Sequence, residues 1–159
     1  MVECIHMETR IQTLEELQKL AGEVLTALEP RKGATVIALK GDLGAGKTAF
    51  VKAVAKHLGI AHEITSPTFV IMKLYEIPTH SFLKTVVHID AYRIEDEDEM
   101  RVLKFGEILD DSRNLVCIEW PEKIQNLISH DAKVIEFTLN QDGTRDIIYE
   151  NEERKMYKE

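Results

Sequence analysis

Cysteine is scarce in this chain, and long apolar runs are missing from it. The two cysteines, Cys4 and Cys117, lie far apart and match no metal-binding spacing, and Cys117 stands in an apolar run where a buried thiol is expected. No stretch approaches the roughly 18 apolar residues that a membrane-spanning helix needs. The N-terminus also lacks the apolar segment of a signal peptide. These absences predict a protein of the reducing cytoplasm that does not contact a membrane.

The chain also lacks an excess of basic residues. It has 20 Lys and Arg against 28 Asp and Glu, which gives a formal net charge of −8. That charge argues against a surface that coats nucleic acid and leaves only a local basic patch open. The length of 159 residues and the hydrophobic content of 44% predict one domain with a real core, in which residues 1–10 and 151–159 are peripheral or frayed.

Glycine is concentrated in one stretch, which reads Gly41-Asp42-Leu43-Gly44-Ala45-Gly46-Lys47-Thr48. Its spacing is that of a phosphate-binding loop. A β-branched apolar run at 35–39 precedes the loop, and apolar residues at helical spacing follow it to Leu58. The loop therefore has the strand-turn-helix context that the motif requires, which the alternative, a glycine-rich turn beside a solvated lysine, does not explain.

Phosphate chemistry accounts for the residue types in this loop. Glycines let the backbone curl closely, so that successive N–H groups along residues 42–48 form a nest for an anion at the start of the following helix. Lys47 is expected to reach the β- and γ-phosphates of a nucleotide. The hydroxyl of Thr48 is expected to hold Mg²⁺.

Two predicted strands end in an acidic residue. The apolar runs at 85–90 and 115–119 finish in Asp90 and Glu119. Because open α/β sheets bind ligands at the carboxyl ends of their strands, both acids are candidates for the site. Asp90 is expected to orient Mg²⁺ or its waters, and Glu119 to position or deprotonate the attacking water. The alternatives are a turn cap for Asp90 and a solvated strand end for Glu119.

Other positions carry less specific signals. Thr13 and Glu16 form a capping box at the start of a helix, and the alternative for Thr13 is a place near a nucleotide base. Trp120, the sole tryptophan, either packs as cover or contacts nucleotide. Arg93 is either an ion-pair partner or a group that stabilises phosphate charge. Arg145 is interpreted as a surface residue, with a ligand or partner contact as the alternative.

The remaining patterns predict an α/β fold. They indicate an edge strand at 2–10, a helix at 14–28, a polar connector at 60–68, a strand at 69–75, an acidic solvated run at 95–99, helical pieces at 100–109 broken at Gly106, a short helix at 123–128 and a β-hairpin around 140–143.

Four motifs together resemble one family. The glycine-rich loop is followed by Thr65-Ser66-Pro67-Thr68-Phe69, His88-Ile89-Asp90-Ala91-Tyr92-Arg93 and Glu119-Trp120-Pro121-Glu122, in the order and spacing of bacterial TsaE proteins. The loop is shared by many NTPases, whereas the other three motifs are much more specific. Ala49 and Ala91 depart mildly from the family pattern, and neither change should remove a ligand.

The resemblance implies a fold, an activity and partners. The fold is a three-layer phosphate-loop α/β domain whose mixed, mainly parallel sheet has antiparallel additions. The activity is Mg²⁺-dependent ATP hydrolysis, weak alone, that supports turnover of the TsaD–TsaB complex in tRNA threonylcarbamoyladenosine modification. The protein reaches tRNA only through that complex.

The resemblance also assigns roles to residues of this sequence. Lys47 holds phosphate, and Ser66 and Thr68 belong to a switch-like loop near the metal. Glu119 is the candidate for water activation, and Trp120 is a mobile neighbour of the nucleotide. The expected metal ligands are Thr48, Asp90 and Glu119.

Two other functions remain open from the sequence. A small-molecule or nucleotide kinase needs an acceptor pocket and a cationic lid, for which few residues remain. A nucleotide-gated binding module would hydrolyse ATP only incidentally. A GTPase is disfavoured because no N-K-x-D-type guanine motif is present.

Overall fold

In the computed structural model, a seven-stranded sheet lies between two layers of helices. The structure describes residues 3–153, with side chains from 6 to 150. The strands are β1 (Glu3–Ile11), β2 (Thr35–Gly41), β3 (Met72–Glu76), β4 (Thr85–Asp90), β5 (Asn114–Glu119), β6 (Lys133–Leu139) and β7 (Arg145–Glu153). The helices are α1 (Leu14–Thr26), α2 (Lys47–His57), α3 (Glu99–Val102), α4 (Phe105–Asp110) and the 3₁₀ helix Pro121–Leu127.

The sheet is mixed, as the sequence predicts. Its strand order is β1-β7-β6-β2-β5-β4-β3. The four central strands β6, β2, β5 and β4 run parallel, whereas β1, β7 and β3 are added antiparallel at the two edges. The predicted three-layer α/β class with antiparallel additions is therefore confirmed.

The register of the central strands brings their carboxyl ends together. Glu119 of β5 pairs with Leu39 of β2 on one side and with Asp90 of β4 on the other. The glycine-rich loop leaves the sheet just beyond the end of β2. The loop and both predicted acids therefore meet at one edge of the sheet, where open α/β sheets bind ligands.

Both faces of the central strands are buried. On one face, α1 and α2 cover Ile37 and Leu39 of β2, and on the other the short helices cover residues such as Val116 and Ile118 of β5. Cys117 is fully buried, and burial raises the pKa of its thiol to about 12. The prediction that this cysteine is a small hydrophobic core residue is confirmed.

The two termini of the described chain pair with each other. β1 lies at one edge of the sheet, as predicted for 2–10, although Val2 lies outside the described residues. β7 forms the predicted hairpin with β6 and continues to Glu153, so it passes the point at 151 where fraying was predicted. The rest of that prediction, for 154–159, lies outside the described residues.

Several predicted boundaries are wrong, and α1 ends at Thr26 rather than at 28. β3 begins at Met72 rather than at 69, because the carbonyl of Pro67 accepts the N–H groups of Val70 and Ile71 in a turn. The break between α3 and α4 lies at Lys104, with φ +55°, whereas Gly106 lies inside α4. The helix predicted at 123–128 is a 3₁₀ helix that begins earlier, at Pro121. Within the described residues, no helix has the length and apolarity to cross a membrane.

The predicted capping box at the start of α1 is present. The Thr13 hydroxyl accepts the N–H of Glu16 at 3.2 Å, and the Glu16 carboxylate accepts the N–H of Thr13 at 3.1 Å. This reciprocal pair satisfies two backbone donors that the helix itself leaves without acceptors.

We expect Thr13→Ala to lower the free energy of unfolding by about 1 kcal/mol, because the Glu16 N–H loses its acceptor. Urea unfolding followed by circular dichroism measures the change. Thr13→Ser keeps the hydroxyl and should remain within a few tenths of a kcal/mol of the unsubstituted protein. Equal loss in both variants would contradict the capping role.

Candidate functional site

The glycine-rich loop connects β2 to α2 through backbone conformations that need glycine. A Cβ at Gly41 would lie 2.6 Å from the carbonyl oxygen of Phe137, closer than a real contact allows. Gly46, the residue before α2, has φ +114°, where an L side chain is strained. The predicted strand-turn-helix context is confirmed, and the first turn of α2 presents backbone N–H groups of the kind that bind anions.

Lys47 is a buried cation at the start of α2. Its side chain is 4% exposed, and its ammonium donates to the carbonyl oxygens of Gly41 and Asp42, the latter at 2.9 Å. Burial lowers the pKa of the ammonium, against the attraction of nearby carboxylates, of which Glu119 is the strongest. Its hydrogen-bond acceptors are neutral carbonyls, so the positive charge of the ammonium is not neutralised by them. An anion that binds beside Lys47 would therefore be attracted strongly.

Trp120 covers Lys47 from the end of β5. The ammonium lies 4.3 Å from the centroid of the indole ring, and the ring of Tyr92 lies 5.0 Å from the same indole. Trp120 also has φ +58°, a left-handed conformation that costs about 1–3 kcal/mol in a residue with a side chain. The tryptophan is therefore held by contacts with its neighbours in a conformation that its own backbone disfavours.

Arg145, at the start of β7, contacts the loop through its guanidinium. Its Nε donates to the carbonyl of Ala45 at 3.1 Å, and one terminal nitrogen donates to the carbonyl of Gly44 at 3.4 Å. The other terminal nitrogen donates to Gly143 in the hairpin turn at 3.3 Å. The side chain is half-buried and contacts the loop. This position differs from that of a plain surface residue, which was the first interpretation of Arg145. Arg145 is therefore a second cation, after Lys47, that contacts the loop.

Glu119 connects the loop to the sheet. The hydroxyl of Thr48 donates to Glu119 Oε1 at 2.7 Å, and Nε2 of His88 lies 2.8 Å from the same oxygen. Glu119 is only 4% exposed. A solvated strand end, the alternative weighed for Glu119, is therefore wrong, because the carboxylate is buried and hydrogen-bonded within the site.

Asp90 accepts hydrogen bonds from the polar connector at 60–68. Its Oδ2 accepts the Thr68 hydroxyl at 2.9 Å and lies 3.4 Å from that of Ser66, and its Oδ1 accepts the N–H of Tyr92 at 3.0 Å. The two hydroxyls are 2.6 Å apart. Asp90 thus caps a turn, as one interpretation held, and also fixes the segment that was expected to lie near the metal.

These groups surround a cleft of about 360 Å³. Its lining includes the loop, both acids, the two connector hydroxyls and two aromatic rings. The residues are Leu43, Gly44, Ala45, Gly46, Lys47, Thr48, Ala49, Ser66, Thr68, Asp90, Tyr92, Glu119, Trp120 and Arg145.

Two residues assigned to the nucleotide do not line this cleft. Thr13 uses its hydroxyl to cap α1, which was the first interpretation of that residue. Asp42 contributes its carbonyl oxygen, which accepts from Lys47 and from the N–H of Ala45, and so it supports the loop from behind. The place near a base that the sequence allowed for Thr13 receives no support from this geometry.

Sequence patterns alone assign no role to two residues of the site, Tyr92 and His88. A signal for His88 exists, because side chains two apart on a strand share a face. A histidine two positions before Asp90 in an otherwise apolar strand therefore predicts a polar group behind the site. Tyr92 carries no comparable signal, since its contact with Trp120 depends on the turn after β4.

The donors at the cleft suit Mg²⁺ in type. Thr48, Asp90 and Glu119 offer the oxygen ligands that Mg²⁺ takes in proteins. Between residues 3 and 153, no three His, Cys, Asp or Glu side chains gather as a metal site. Mg²⁺ usually binds through one or two carboxylates together with waters and substrate phosphates, so the residues present fit a metal that is held jointly with a nucleotide.

Comparisons with known proteins agree with this geometry. The family model described as threonylcarbamoyl adenosine biosynthesis protein TsaE matches residues 11–147. TsaE of Rickettsia felis is 40% identical over 116 residues, which are 72% of this chain and 63% of the relative. TsaE of Rickettsia bellii is 31% identical over 145 residues, which are 91% of this chain and 94% of the relative. The alignment thus spans less than two thirds of the Rickettsia felis protein and nearly all of the Rickettsia bellii one.

A solved structure supports the fold assignment. The crystal structure of Bacillus subtilis YdiB superposes on this chain with a TM-score of 0.70 and 26% sequence identity. The superposed part covers 95% of this chain and 88% of the YdiB chain. The family match contains the loop, both strand-tip acids and Arg145. The chain belongs to the TsaE family of threonylcarbamoyl adenosine biosynthesis proteins.

Proposed function

We propose that this protein binds ATP with Mg²⁺ in the cleft and hydrolyses it. The observation that carries the proposal is the 2.7 Å hydrogen bond from Thr48, at the end of the phosphate loop, to Glu119, at the tip of the adjacent strand. Membership of the TsaE family supports the further proposal that hydrolysis sustains the TsaD–TsaB complex in tRNA threonylcarbamoyladenosine modification. Such a role is consistent with the cytoplasm, and tRNA would be met only through the complex.

Phosphate binding rests on the loop and on two cations. Arg145 holds the carbonyls of Gly44 and Ala45. Because the C=O and N–H of a planar trans peptide point in opposite directions, this contact turns the N–H of Gly46 away from the guanidinium. Lys47, already buried, exchanges neutral carbonyl acceptors for anionic phosphate oxygens, so that both partners of the hydrogen bond carry charge.

Thr48, Asp90 and Glu119 would hold the metal together with the phosphates. Mg²⁺ bound there neutralises charge that develops on the phosphoryl oxygens. The hydroxyl of Thr48 donates a hydrogen bond to Glu119, which leaves the lone pairs of its oxygen available to a metal. The Asp90 carboxylate, fixed by Thr68 and Ser66, supplies a second negative charge at the same edge of the sheet.

Water activation falls to the free oxygen of Glu119. A carboxylate within hydrogen-bond reach of the attacking water contributes roughly 10²–10⁴ in rate as a general base. Phosphoryl transfer otherwise depends on positioning and charge, and a missing cation costs about 10³–10⁵. Ser66 is exposed and Thr68 only half-buried, so this segment is a candidate for ordering by the partner complex.

We expect Lys47→Ala to weaken ATP binding by about 10- to 100-fold, because the phosphates lose a charge-assisted donor. The fluorescence of Trp120, the sole tryptophan, reports binding during titration with Mg·ATP. Lys40→Ala, which removes an exposed lysine just before the loop, is the matched control and should bind like the unsubstituted protein. Equal affinity in all three proteins would refute binding at this loop.

The hydrolysis assay compares the protein alone with the protein mixed with TsaD and TsaB. We expect phosphate release to increase with the partners, and Glu119→Gln to reduce the rate by roughly 10²–10⁴ while ATP still binds. Phosphate transfer to an added acceptor would instead support a kinase. Partner function that survives in Glu119→Gln would support a nucleotide-gated binding module, and equal rates with and without partners would refute partner activation.

Replacing Arg145 tests whether its hydrogen bonds to the loop carbonyls support ATP binding. We expect Arg145→Ala to weaken ATP binding about 10-fold, which corresponds to roughly 1.4 kcal/mol. Arg145→Lys should recover little of this loss, because a lysine ammonium lacks the planar fork that reaches two carbonyls. Arg10→Gln removes a nearby exposed guanidinium that pairs with Asp146 and should leave affinity unchanged. Full recovery by Arg145→Lys would show that charge alone matters.

A further inference from the structure

His88 reduces the stability of the folded protein through one of its ring nitrogens. It is fully buried in β4, and its Nδ1 has no hydrogen-bond partner among the described residues. A buried polar atom without a partner costs about 1–3 kcal/mol. Its neighbours Val86, Val87 and Ile89 are apolar and fully buried, so an apolar side chain would satisfy the packing of this strand. The benefit of the histidine must therefore lie in its other nitrogen.

That nitrogen contacts Glu119. Nε2 lies 2.8 Å from Oε1, and the same oxygen accepts the Thr48 hydroxyl at 2.7 Å. A carboxylate oxygen offers two lone pairs, so these two donors occupy Oε1 and leave Oε2 for further contacts. Both donors stand on rigid elements, the first turn of α2 and the middle of β4. The carboxylate is therefore held between a helix and a strand.

We propose that His88 is a positioning residue for Glu119. Its Nε2–H donates to Oε1, fixes the carboxylate and reserves Oε2 for the cleft that Glu119 lines. Nδ1 then carries no proton, which fits a nitrogen without an acceptor beside it. His88 does not itself line the cleft, so it acts only through Glu119. The inference rests on the proposed function, because it concerns the acid that hydrolysis would use.

The test separates hydrolysis from binding in two variants. His88→Leu removes the donor, whereas His88→Gln keeps an amide N–H in reach of Oε1. We expect His88→Leu to bind Mg·ATP like the unsubstituted protein but to hydrolyse it about 10- to 100-fold more slowly with TsaD and TsaB present. His88→Gln should recover most of the rate. A purely structural histidine would show no such split between rate and affinity.

Cys117→Ala is the matched control for disturbance of the core. Cys117 is the cross-strand neighbour of His88 on β5 and is equally buried. The hydrogen bonds to Glu119 Oε1 come from His88 and Thr48, and Cys117 is not one of these donors. We expect Cys117→Ala to keep both affinity and rate. A rate loss in Cys117→Ala as large as that in His88→Leu would overturn the proposal, because general loosening of the core would then explain both.

Nitrogen NMR of histidine-labelled protein tests the same contact without nucleotide. We expect the His88 ring to carry its proton on Nε2 and none on Nδ1, and the Nε2 signal to shift in Glu119→Gln. A ring protonated on Nδ1 alone, or full hydrolysis by His88→Leu, would overturn the positioning role while leaving the proposed ATPase intact. An unsubstituted protein that binds no ATP would overturn the proposed function, and the role of His88 with it.

Discussion

The hydrogen bond between Thr48 and Glu119 joins the two halves of the site, and the parallel register of the sheet makes it possible. The two residues are 71 positions apart in the chain. They meet because β2, β5 and β4 run side by side, with Glu119 in register with both Leu39 and Asp90. The loop leaves at the end of β2, so the helix that begins at Lys47 carries Thr48 directly to the acid.

The site concentrates buried charge. Lys47, Asp90 and Glu119 are each only 4% exposed, and the hydrogen-bond partners of their side chains are carbonyls, hydroxyls, one backbone N–H group and one imidazole. Buried charges that are not directly paired reduce stability. The fold therefore tolerates an arrangement that packing alone does not favour, and the strained backbone of Trp120 adds to that cost. Such an arrangement is expected where an anion and a metal complete the charge balance.

Local sequence patterns predicted the features of this structure that are formed by residues close together in the chain. The loop, the capping box at Thr13 and the acids at two strand ends each follow from spacing within a few residues. The start of β3 was missed because Phe69 and Val70 are apolar, although the turn leaves them 85% and 55% exposed. The contacts of Arg145 with the loop and of His88 with Glu119 join distant segments, so local patterns could not predict which residues these side chains contact.

The most direct test is a crystal structure with Mg²⁺ and a non-hydrolysable ATP analogue. We expect the triphosphate on the backbone of the loop, with the Lys47 ammonium moved from the carbonyls of Gly41 and Asp42 to phosphate oxygens. We also expect Thr48, Asp90 and Glu119 around the metal beside the terminal phosphate. A nucleotide bound elsewhere on the protein, or a terminal phosphate remote from both acids, would contradict the proposed site.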